Sequence, residues 1–251
     1  MKKALLIIDR GSRAEEVKTE LKELCKITGS KGGYQYCNFC FLEVVPPFID
    51  EGIAKCVDSG SDLITVMPYF LYPGMKLKDT VKQSAIFCRE KNLRLVITKP
   101  LCYHNLMINI LKEKIDNLKK KKNLKIPDSE IDLLMIGHGS SDKNARHAFL
   151  YSVDKLKPFY RNVEFCFLEL DTPDIEQGIS NILKKNPKNV VLLPYFLHNG
   201  IHLQKDIPEE LERITKSCNF DMHIAEHLGV NEKLVDMILQ RAMEAENRIV
   251  F

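Results

Sequence analysis

The sequence has no apolar run long enough to cross a lipid bilayer. Its longest unbroken apolar segments, such as ALLII at 4–8 and VVLL at 190–193, are far shorter than the roughly 20 residues of a transmembrane helix. We expect the start MKKALLIIDRG to form a first strand rather than a signal peptide, because its apolar part is shorter than the usual ~7–15 residues and no small-residue cleavage site follows. These absences predict a cytoplasmic protein with no membrane partner.

The net charge is also small, and a common nucleotide-binding motif is missing. The formal net charge of +3 is too small to indicate a nucleic-acid-binding protein. The one basic block, LKKKKNLK at 118–125, precedes the turn-forming IPDSE and is typical of a solvated helix end with a linker. No G-x-x-x-x-G-K-[ST] loop occurs, which excludes the phosphate-binding loop of many ATP-driven enzymes. We predict no nucleic-acid partner.

The eight cysteines lack the spacing of a disulfide framework or a zinc site. Cys37 and Cys40 have C-x-x-C spacing, but no second pair accompanies them, so a zinc or cluster site would lack ligands. Most cysteines fall inside predicted strands or helices. We therefore expect buried free thiols, which pack as small hydrophobic side chains.

The chain contains an internal repeat. FCFLEVVPPFIDEGI at 39–53 and FCFLELDTPDIEQGI at 165–179 are identical at nine of fifteen positions, without a gap, at an offset of 126 residues. At the same offset MPYFL matches LPYFL, and the starts LLIIDRGS and LLMIGHGS match at an offset of 128. The repeat predicts two domains, 1–124 and 125–251, related by a pseudo-twofold axis.

Each repeat alternates short apolar runs with amphipathic stretches. Strands are predicted at 4–8, 38–43, 62–68, 93–97, 131–136, 163–168, 188–194 and 220–225. Helices are predicted near 14–27, 47–58, 78–91, 105–121, 143–158, 173–185, 204–217 and 231–247. The strands are rich in Val, Ile and Leu and nearly continuous in apolar character, as in parallel sheets buried on both faces. The pattern predicts an α/β protein of two doubly wound, flavodoxin-like parallel-sheet domains.

Polar side chains follow the strands of the second repeat. His138 follows IDLLMI in a G-H-G-S turn, Glu169 ends VEFCFLE, and His202 ends the loop HNGIH after VVLLPYFL. Ligands of doubly wound sheets bind beyond the carboxyl ends of the strands, so we expect these residues on one rim. Two imidazoles and one carboxylate form a site with open coordination positions, suited to Fe, Co, Ni or Zn. A phosphate or nucleotide binder that uses GHGSS as its anion loop is the competing interpretation, and it leaves Glu169 and His202 unexplained.

Three segments carry a family resemblance. GHGSS (137–141), CFLELDTPDIEQGI (166–179) and LPYFLHNGIHLQKDIP (193–208) resemble the CbiX/SirB family of sirohydrochlorin chelatases, and the resemblance extends over nearly the whole chain. It implies a chelatase-like fold and ATP-independent insertion of cobalt, iron or nickel into the tetrapyrrole sirohydrochlorin, in cobalamin or siroheme biosynthesis. It also implies that His138, Glu169 and His202 hold the metal and act in catalysis, with no permanently bound cofactor.

The first repeat departs from the family pattern. Arg10 stands opposite His138 and Lys76 opposite His202, and Glu43 alone cannot hold a transition metal. We therefore predict that only the second repeat does the chemistry. Cations suit carboxylates, which sirohydrochlorin carries as acetates and propionates, so we predict that Arg10 and Lys76 bind the substrate. The alternative is that both are surface residues left after duplication. Further candidates for this role are Arg13, Arg146 and Lys205.

The chemistry of insertion suggests a role for each ligand, but leaves the metal open. Imidazoles bind metal when neutral and, with a pKa near ~6.5, can accept the pyrrole protons at neutral pH. The affinity of such a site is generally higher for the later first-row divalent metals, whichever metal the protein uses. The ligands therefore do not select among cobalt, iron and nickel. A non-catalytic tetrapyrrole or metal-binding protein and a porphyrin ferrochelatase are the two alternatives. Because one chain contains both repeats, we expect a monomer.

Overall fold

The computed structural model describes residues 2–90, 93–200, 205, 207–209, 211 and 221–248. The chain forms two compact units, Met1–His104 with Val230–Phe251, and Asn105–Gly229. Among the helices described, none is both long and apolar enough to span a bilayer.

Strands and helices alternate along the chain, as the sequence pattern predicts. The strands are β1 (Lys3–Asp9), β2 (Tyr36–Phe41), β3 (Leu63–Pro68), β4 (Leu95–Ile97), β5 (Ile131–Gly137), β6 (Asn162–Phe167), β7 (Asn189–Pro194) and β8 (Asp221–Ile224). The helices are α1 (Glu15–Gly32), α2 (Ile49–Asp58), α3 (Met75–Glu90), α4 (Asn105–Lys121), α5 (Lys143–Leu156), α6 (Ile175–Leu183) and α7 (Glu232–Glu246).

Each unit is built on a four-stranded parallel sheet, and the two sheets have the same topology. The strand order is β2-β1-β3-β4 in the first unit and β6-β5-β7-β8 in the second. The register repeats as well: Leu6 pairs with Asn38 and Val66, as Leu134 pairs with Glu164 and Leu192. The predicted pair of doubly wound α/β domains is confirmed.

The central strands lie in the core of each unit. Residues 4–9 of β1 and all of β5 are buried, because helices cover both faces of each sheet. In the first unit α2 packs on β1, β2 and α3, whereas α1 packs on β2 and α7. The continuous apolar character of these strands follows from burial on both faces.

Two helix boundaries differ from prediction by three residues or more. Helix α1 was expected to end at 27, but it continues to Gly32 and ends where Gly33 adopts a left-handed conformation and donates its N–H to Gly29 O. Helix α3 begins at Met75 rather than 78, directly after Gly74, and this places Lys76 in its first turn. The predicted helix at 204–217 lies mostly outside the described residues.

The last helix of each sequence repeat packs in the unit built by the other repeat. Helix α4 packs on β7 and α5, and α7 packs on β3, β4 and α1. The compact units therefore exchange helices across the boundary between 1–124 and 125–251. That boundary remains a prediction about the sequence repeats, whereas the first packing unit is discontinuous in sequence and the second begins at Asn105.

The described cysteines are free thiols in the core, as expected. None of them forms a disulfide, and all except Cys37 are buried. Burial raises the pKa of Cys88 to about 11, and it raises that of Cys102 to about 11 as well. These thiols are thus neutral at physiological pH and contribute as apolar packing groups.

Candidate functional site

His138 and Glu169 meet at the carboxyl edge of the second sheet. His138 directly follows β5, and Glu169 lies two residues beyond the end of β6, its parallel neighbour. Nε2 of His138 lies 3.2 Å from Oε1 of Glu169, and the backbone N–H of Glu169 donates to His138 O at 3.0 Å. The sheet topology thus brings together two of the three predicted metal ligands.

Gly139 allows these two strand ends to approach. Its φ is +93°, and a Cβ atom at this position would lie 1.7 Å from Glu169 O. Only glycine adopts this conformation without strain and leaves space for the neighbouring carbonyl. The second glycine of the G-H-G-S turn therefore permits the close contact between the strand ends.

The imidazole and carboxylate are open to solvent. The side chains are 28% exposed for His138 and 51% exposed for Glu169. An incoming ion can reach both donors from the rim of the sheet. Within the part of the chain that the structure describes, no three His, Cys, Asp or Glu side chains group closely enough to hold a metal ion. The third predicted ligand, His202, lies outside the described residues.

The equivalent positions of the first repeat form an ion-paired triad. Arg10 Nε lies 2.9 Å from Glu43 Oε1, and Lys76 Nζ lies 2.6 Å from Glu43 Oε2. The hydrogen bond from Lys76, followed by that from Arg10, lowers the pKa of Glu43 below its usual range, although burial opposes the shift. Gly11 repeats the role of Gly139: its φ is +107°, and a Cβ would lie 2.1 Å from Glu43 O.

This triad was not anticipated from the sequence, which predicts Arg10 and Lys76 only as groups that face a substrate. The signal was present in the repeat alignment, because Arg10, Glu43 and Lys76 occupy the positions of His138, Glu169 and His202. Arg10 and Lys76 remain 58% and 43% exposed at the side chain. The triad carries one more positive than negative charge.

Arg146 anchors the loop that carries Glu169. Its guanidinium, on α5, forms an ion pair with Asp171, and Nη1 also donates to Thr172 O at 2.7 Å. Its Cζ lies 5.4 Å from the ring centroid of Phe167. The position of Asp171 is occupied by Val45 in the first repeat, so this ion pair belongs to the second repeat alone. From the sequence, Arg146 is a candidate for binding substrate carboxylates. In the structure it forms its ion pair with a carboxylate of its own chain.

Two other groups near strand ends have different surroundings. Glu226, after β8, pairs with Lys121 Nζ at 2.9 Å, and this hydrogen bond lowers its pKa. His223 lies on β8, where burial, followed by the charge of Lys122, lowers its pKa. Strand β7 separates β8 from β5, the strand that His138 follows.

The match to a known protein family occurs once in each repeat. The CbiX family model matches residues 4–118 and again residues 132–245. A sirohydrochlorin cobaltochelatase of Priestia megaterium is 30% identical over 215 residues, which is 82% of this chain and 68% of that protein. A sirohydrochlorin ferrochelatase of the same organism is 25% identical over 239 residues, covering 94% and 87% of the two chains.

Solved structures share the fold over almost the entire chain. SirB from Bacillus subtilis with Fe3+ superposes with a TM-score of 0.83 at 21% identity, covering 98% of this chain and 97% of that one. CbiX, described as the terminal enzyme for siroheme biosynthesis in denitrifying bacteria, has a TM-score of 0.71 at 16% identity and covers 98% and 99%. At these identities the structures establish the common fold. Because the family model matches both repeats, the chain belongs to the CbiX family.

Proposed function

We propose that this protein catalyses the ATP-independent insertion of a divalent metal ion, Co²⁺, Fe²⁺ or Ni²⁺, into sirohydrochlorin. The observation that carries the proposal is the distance of 3.2 Å between Nε2 of His138 and Oε1 of Glu169. When two donor atoms each lie about 2.1 Å from one metal ion, and the donor–metal–donor angle is between a right angle and the tetrahedral angle, the two donors are roughly 3.0–3.4 Å apart. The pair therefore has the spacing of two ligands of one ion.

His202 is the third ligand in this proposal. Its repeat equivalent, Lys76, contacts the carboxylate of Glu43 at 2.6 Å, which supports a position for His202 that faces Glu169. The set of two imidazoles and one carboxylate leaves coordination positions for the pyrrole nitrogens. The metal is a substrate that passes through the site, not a resident cofactor.

Insertion requires groups that accept protons. The metal ion forms bonds to the ring nitrogens, two pyrrole N–H protons leave, and the metal keeps its oxidation state. His138 is close enough to Glu169 for the two groups to share a proton. We assign His138 and His202 as bases as well as ligands, with Glu169 completing the metal shell or accepting the second proton.

The triad of the first repeat is proposed to bind substrate carboxylates. The triad has a net charge of one positive unit, and its two cations, Arg10 and Lys76, are substantially exposed. Arg10 contacts Glu43 through Nε, and a guanidinium has five donors in all. A second carboxylate can therefore be bound without breaking the existing pair.

Spectrophotometric turnover tests the proposal. Purified protein is mixed with sirohydrochlorin and, separately, Co²⁺, Fe²⁺ or Ni²⁺, and the absorption spectrum is followed against a protein-free control. We expect insertion that is faster than the control, and a loss of about 10²- to 10⁴-fold in Glu169→Gln, the range for groups that take part in proton transfer. The matched control is Glu43→Gln, at the equivalent position of the first repeat, which removes no proposed metal ligand and leaves Arg10 and Lys76 in place, so it should insert metal at a rate near that of the wild type.

The same assay separates the alternatives. A carrier would bind the metal and the tetrapyrrole without raising the insertion rate above the protein-free rate. A porphyrin ferrochelatase would insert Fe²⁺ into a porphyrin but not into sirohydrochlorin. If Glu169→Gln and His138→Ala both retain the full insertion rate, the assignment of the site to the second repeat is wrong.

A further inference from the structure

A cavity in the first unit lies between the edge strand β4 and helix α7. Its volume is about 190 Å³, below the roughly 300–1,000 Å³ of pockets for drug-sized ligands, and thus too small for a macrocycle. Its lining includes Val96, Ile97, Lys99, Arg241, Glu244 and Arg248. Glu43 follows β2, at the opposite edge of this sheet from β4, and no residue of the triad lines the cavity.

The charges around the cavity are unbalanced. Lys99, Arg241 and Arg248 contribute three cations, and Glu244 is the one carboxylate of the lining. Glu244 Oε2 lies 3.3 Å from Arg241 Nη1. Within the described residues neither Lys99 nor Arg248 forms an ion pair. A cavity with this lining attracts anions.

Arg241 is a buried member of this set. The residue is 7% exposed and donates from Nη2 to Cys102 O at 2.9 Å. Its Nε is buried and has no hydrogen-bond partner among the described residues. A buried guanidinium is costly unless other groups balance its charge, and the half-exposed Glu244 does so only in part. Burial, together with the charge of Arg241, lowers the pKa of the nearby His104, consistent with positive potential in this region.

The second unit contains an equivalent cavity. Helices α4 and α7 begin at Asn105 and Glu232, and the edge strands end at Ile97 and Ile224, so both features repeat at an offset of 127 residues. The second cavity, of about 110 Å³, lies between β8 and α4. The fold therefore forms the same cavity twice.

The second cavity has a carboxylate at the position that corresponds to Lys99. At the offset of 127, Glu226 takes the place of Lys99, and Lys121 takes the place of Arg248. The carboxylate of Glu226 pairs with Lys121 Nζ at 2.9 Å. Both linings contain three cations and one carboxylate, but the carboxylates differ in position. The carboxylate of the second lining, Glu226, lies at the position of Lys99, whereas Glu244 of the first lining lies at the position of Asn117 and pairs with Arg241.

We propose that the cavity bordered by Lys99, Arg241 and Arg248 binds one small anion with carboxylate- or phosphate-type oxygens. The bound group takes the role that the Glu226 carboxylate has in the second unit. Arginine guanidinium groups match the geometry of both kinds of oxyanion. The proposal does not depend on the metal-insertion chemistry of the second unit.

Calorimetric titration of the full chain with inorganic phosphate and, in a separate arm, with succinate tests this proposal. We expect one anion per chain, and the arm with the higher affinity identifies the oxyanion class. Affinity should fall at least tenfold in the variant Lys99→Ala/Arg248→Ala, which changes two exposed side chains and leaves the buried Arg241 in place. The matched control Lys121→Ala/Lys122→Ala, in the second cavity, removes the same number of cations and should bind as the wild type does.

The substitution Lys99→Glu gives an independent readout. It introduces the acidic residue of the second repeat beside Arg248, so it should abolish anion binding and raise the melting temperature measured without anion. Binding of neither anion, or binding that Lys99→Glu and the double alanine variant leave unchanged, would overturn the proposal. Loss of binding in the Lys121→Ala/Lys122→Ala control would assign the anion to the other cavity and would also overturn it.

Discussion

Arg10 Nε lies 2.9 Å from Glu43 Oε1, and these two residues occupy the same repeat positions as His138 and Glu169. One strand-end geometry therefore holds an ion pair in the first repeat and an imidazole–carboxylate pair in the second. The glutamate, the tight glycine turn and the neighbouring parallel strands are common to both. The difference in chemistry comes from the substituted side chains.

Histidines at the two cationic positions should create a second metal site. In Arg10→His/Lys76→His, Glu43 would stand between two imidazoles, as Glu169 does in the proposed site. We expect cobalt titration by calorimetry to change from one to two Co²⁺ per chain. The control Arg10→Gln/Lys76→Gln removes the same charges without introducing imidazoles and should stay at one. An unchanged stoichiometry in the histidine variant would contradict the equivalence of the two sites.

Removal of the two cations should weaken tetrapyrrole binding. For Arg10→Ala/Lys76→Ala we expect roughly tenfold lower affinity at low ionic strength, about 1.4 kcal/mol, and a smaller loss at high salt. Part of this loss would come from repulsion by the unpaired Glu43. The triple variant with Glu43→Gln removes that repulsion and should still bind less tightly than the wild type. Wild-type affinity in the triple variant, measured by spectroscopic titration, would refute the carboxylate-binding role.

The substitution Gly139→Ala should damage both stability and the site. Its Cβ would meet Glu169 O at 1.7 Å in a backbone conformation with φ of +93°. We expect the free energy of unfolding to fall by about 2–4 kcal/mol, from strain and overpacking together. Gly60→Ala is the matched control, since Gly60 has φ of +72° with no atom within 4 Å and should lose only about 1 kcal/mol. Equal losses in urea denaturation would argue against the close approach at Gly139.

Glu246 should stabilise the first unit in a pH-dependent way. Burial raises its pKa, but hydrogen bonds from Lys3, Thr65 and Tyr34 outweigh burial, so the pKa is lowered overall. The ionised form therefore stabilises the fold above the ordinary carboxyl pKa near ~4.3, and this contribution is lost as the pH falls through the lowered value. In urea denaturation, Glu246→Gln should cost about 1–3 kcal/mol at pH 7 and progressively less below ~pH 4.3.

A control for Glu246 is available on the same helix. Asp236 pairs with Lys31, and both side chains are about 40% exposed or more. Asp236→Asn should therefore cost less than about 0.5 kcal/mol at either pH. A loss in Glu246→Gln that is independent of pH would show that packing, and not the carboxylate charge, is the source of the effect.

The strands and the strand-end site could be predicted because apolar runs and sheet topology are properties of the sequence pattern. β5 was expected at 131–136 and spans Ile131–Gly137, and His138 and Glu169 lie on one rim as expected. The pairing of α4 and α7 with particular sheets could not be predicted. An amphipathic pattern shows which helix face is buried, but not which sheet receives it.

The ion-paired triad was missed for a similar reason. Glu43 was considered as an isolated carboxylate, and a residue type does not reveal its hydrogen bonds. The end of α1 was predicted at 27, but Gly29 and Gly32 lie within the helix, and Gly33 ends it. In both cases the deciding information is a local conformation or contact that sequence spacing does not specify.

The exchanged helices have a consequence for how the chain folds during synthesis. The second unit is continuous from Asn105 to Gly229 and can close as soon as those residues leave the ribosome. The first unit needs α7, whose last residue is Glu246, so β3 and β4 lack the cover of that helix until after the second unit has been synthesised. Domains are usually expected to mature from the amino terminus onward. Here the part that is made first is the part that is finished last.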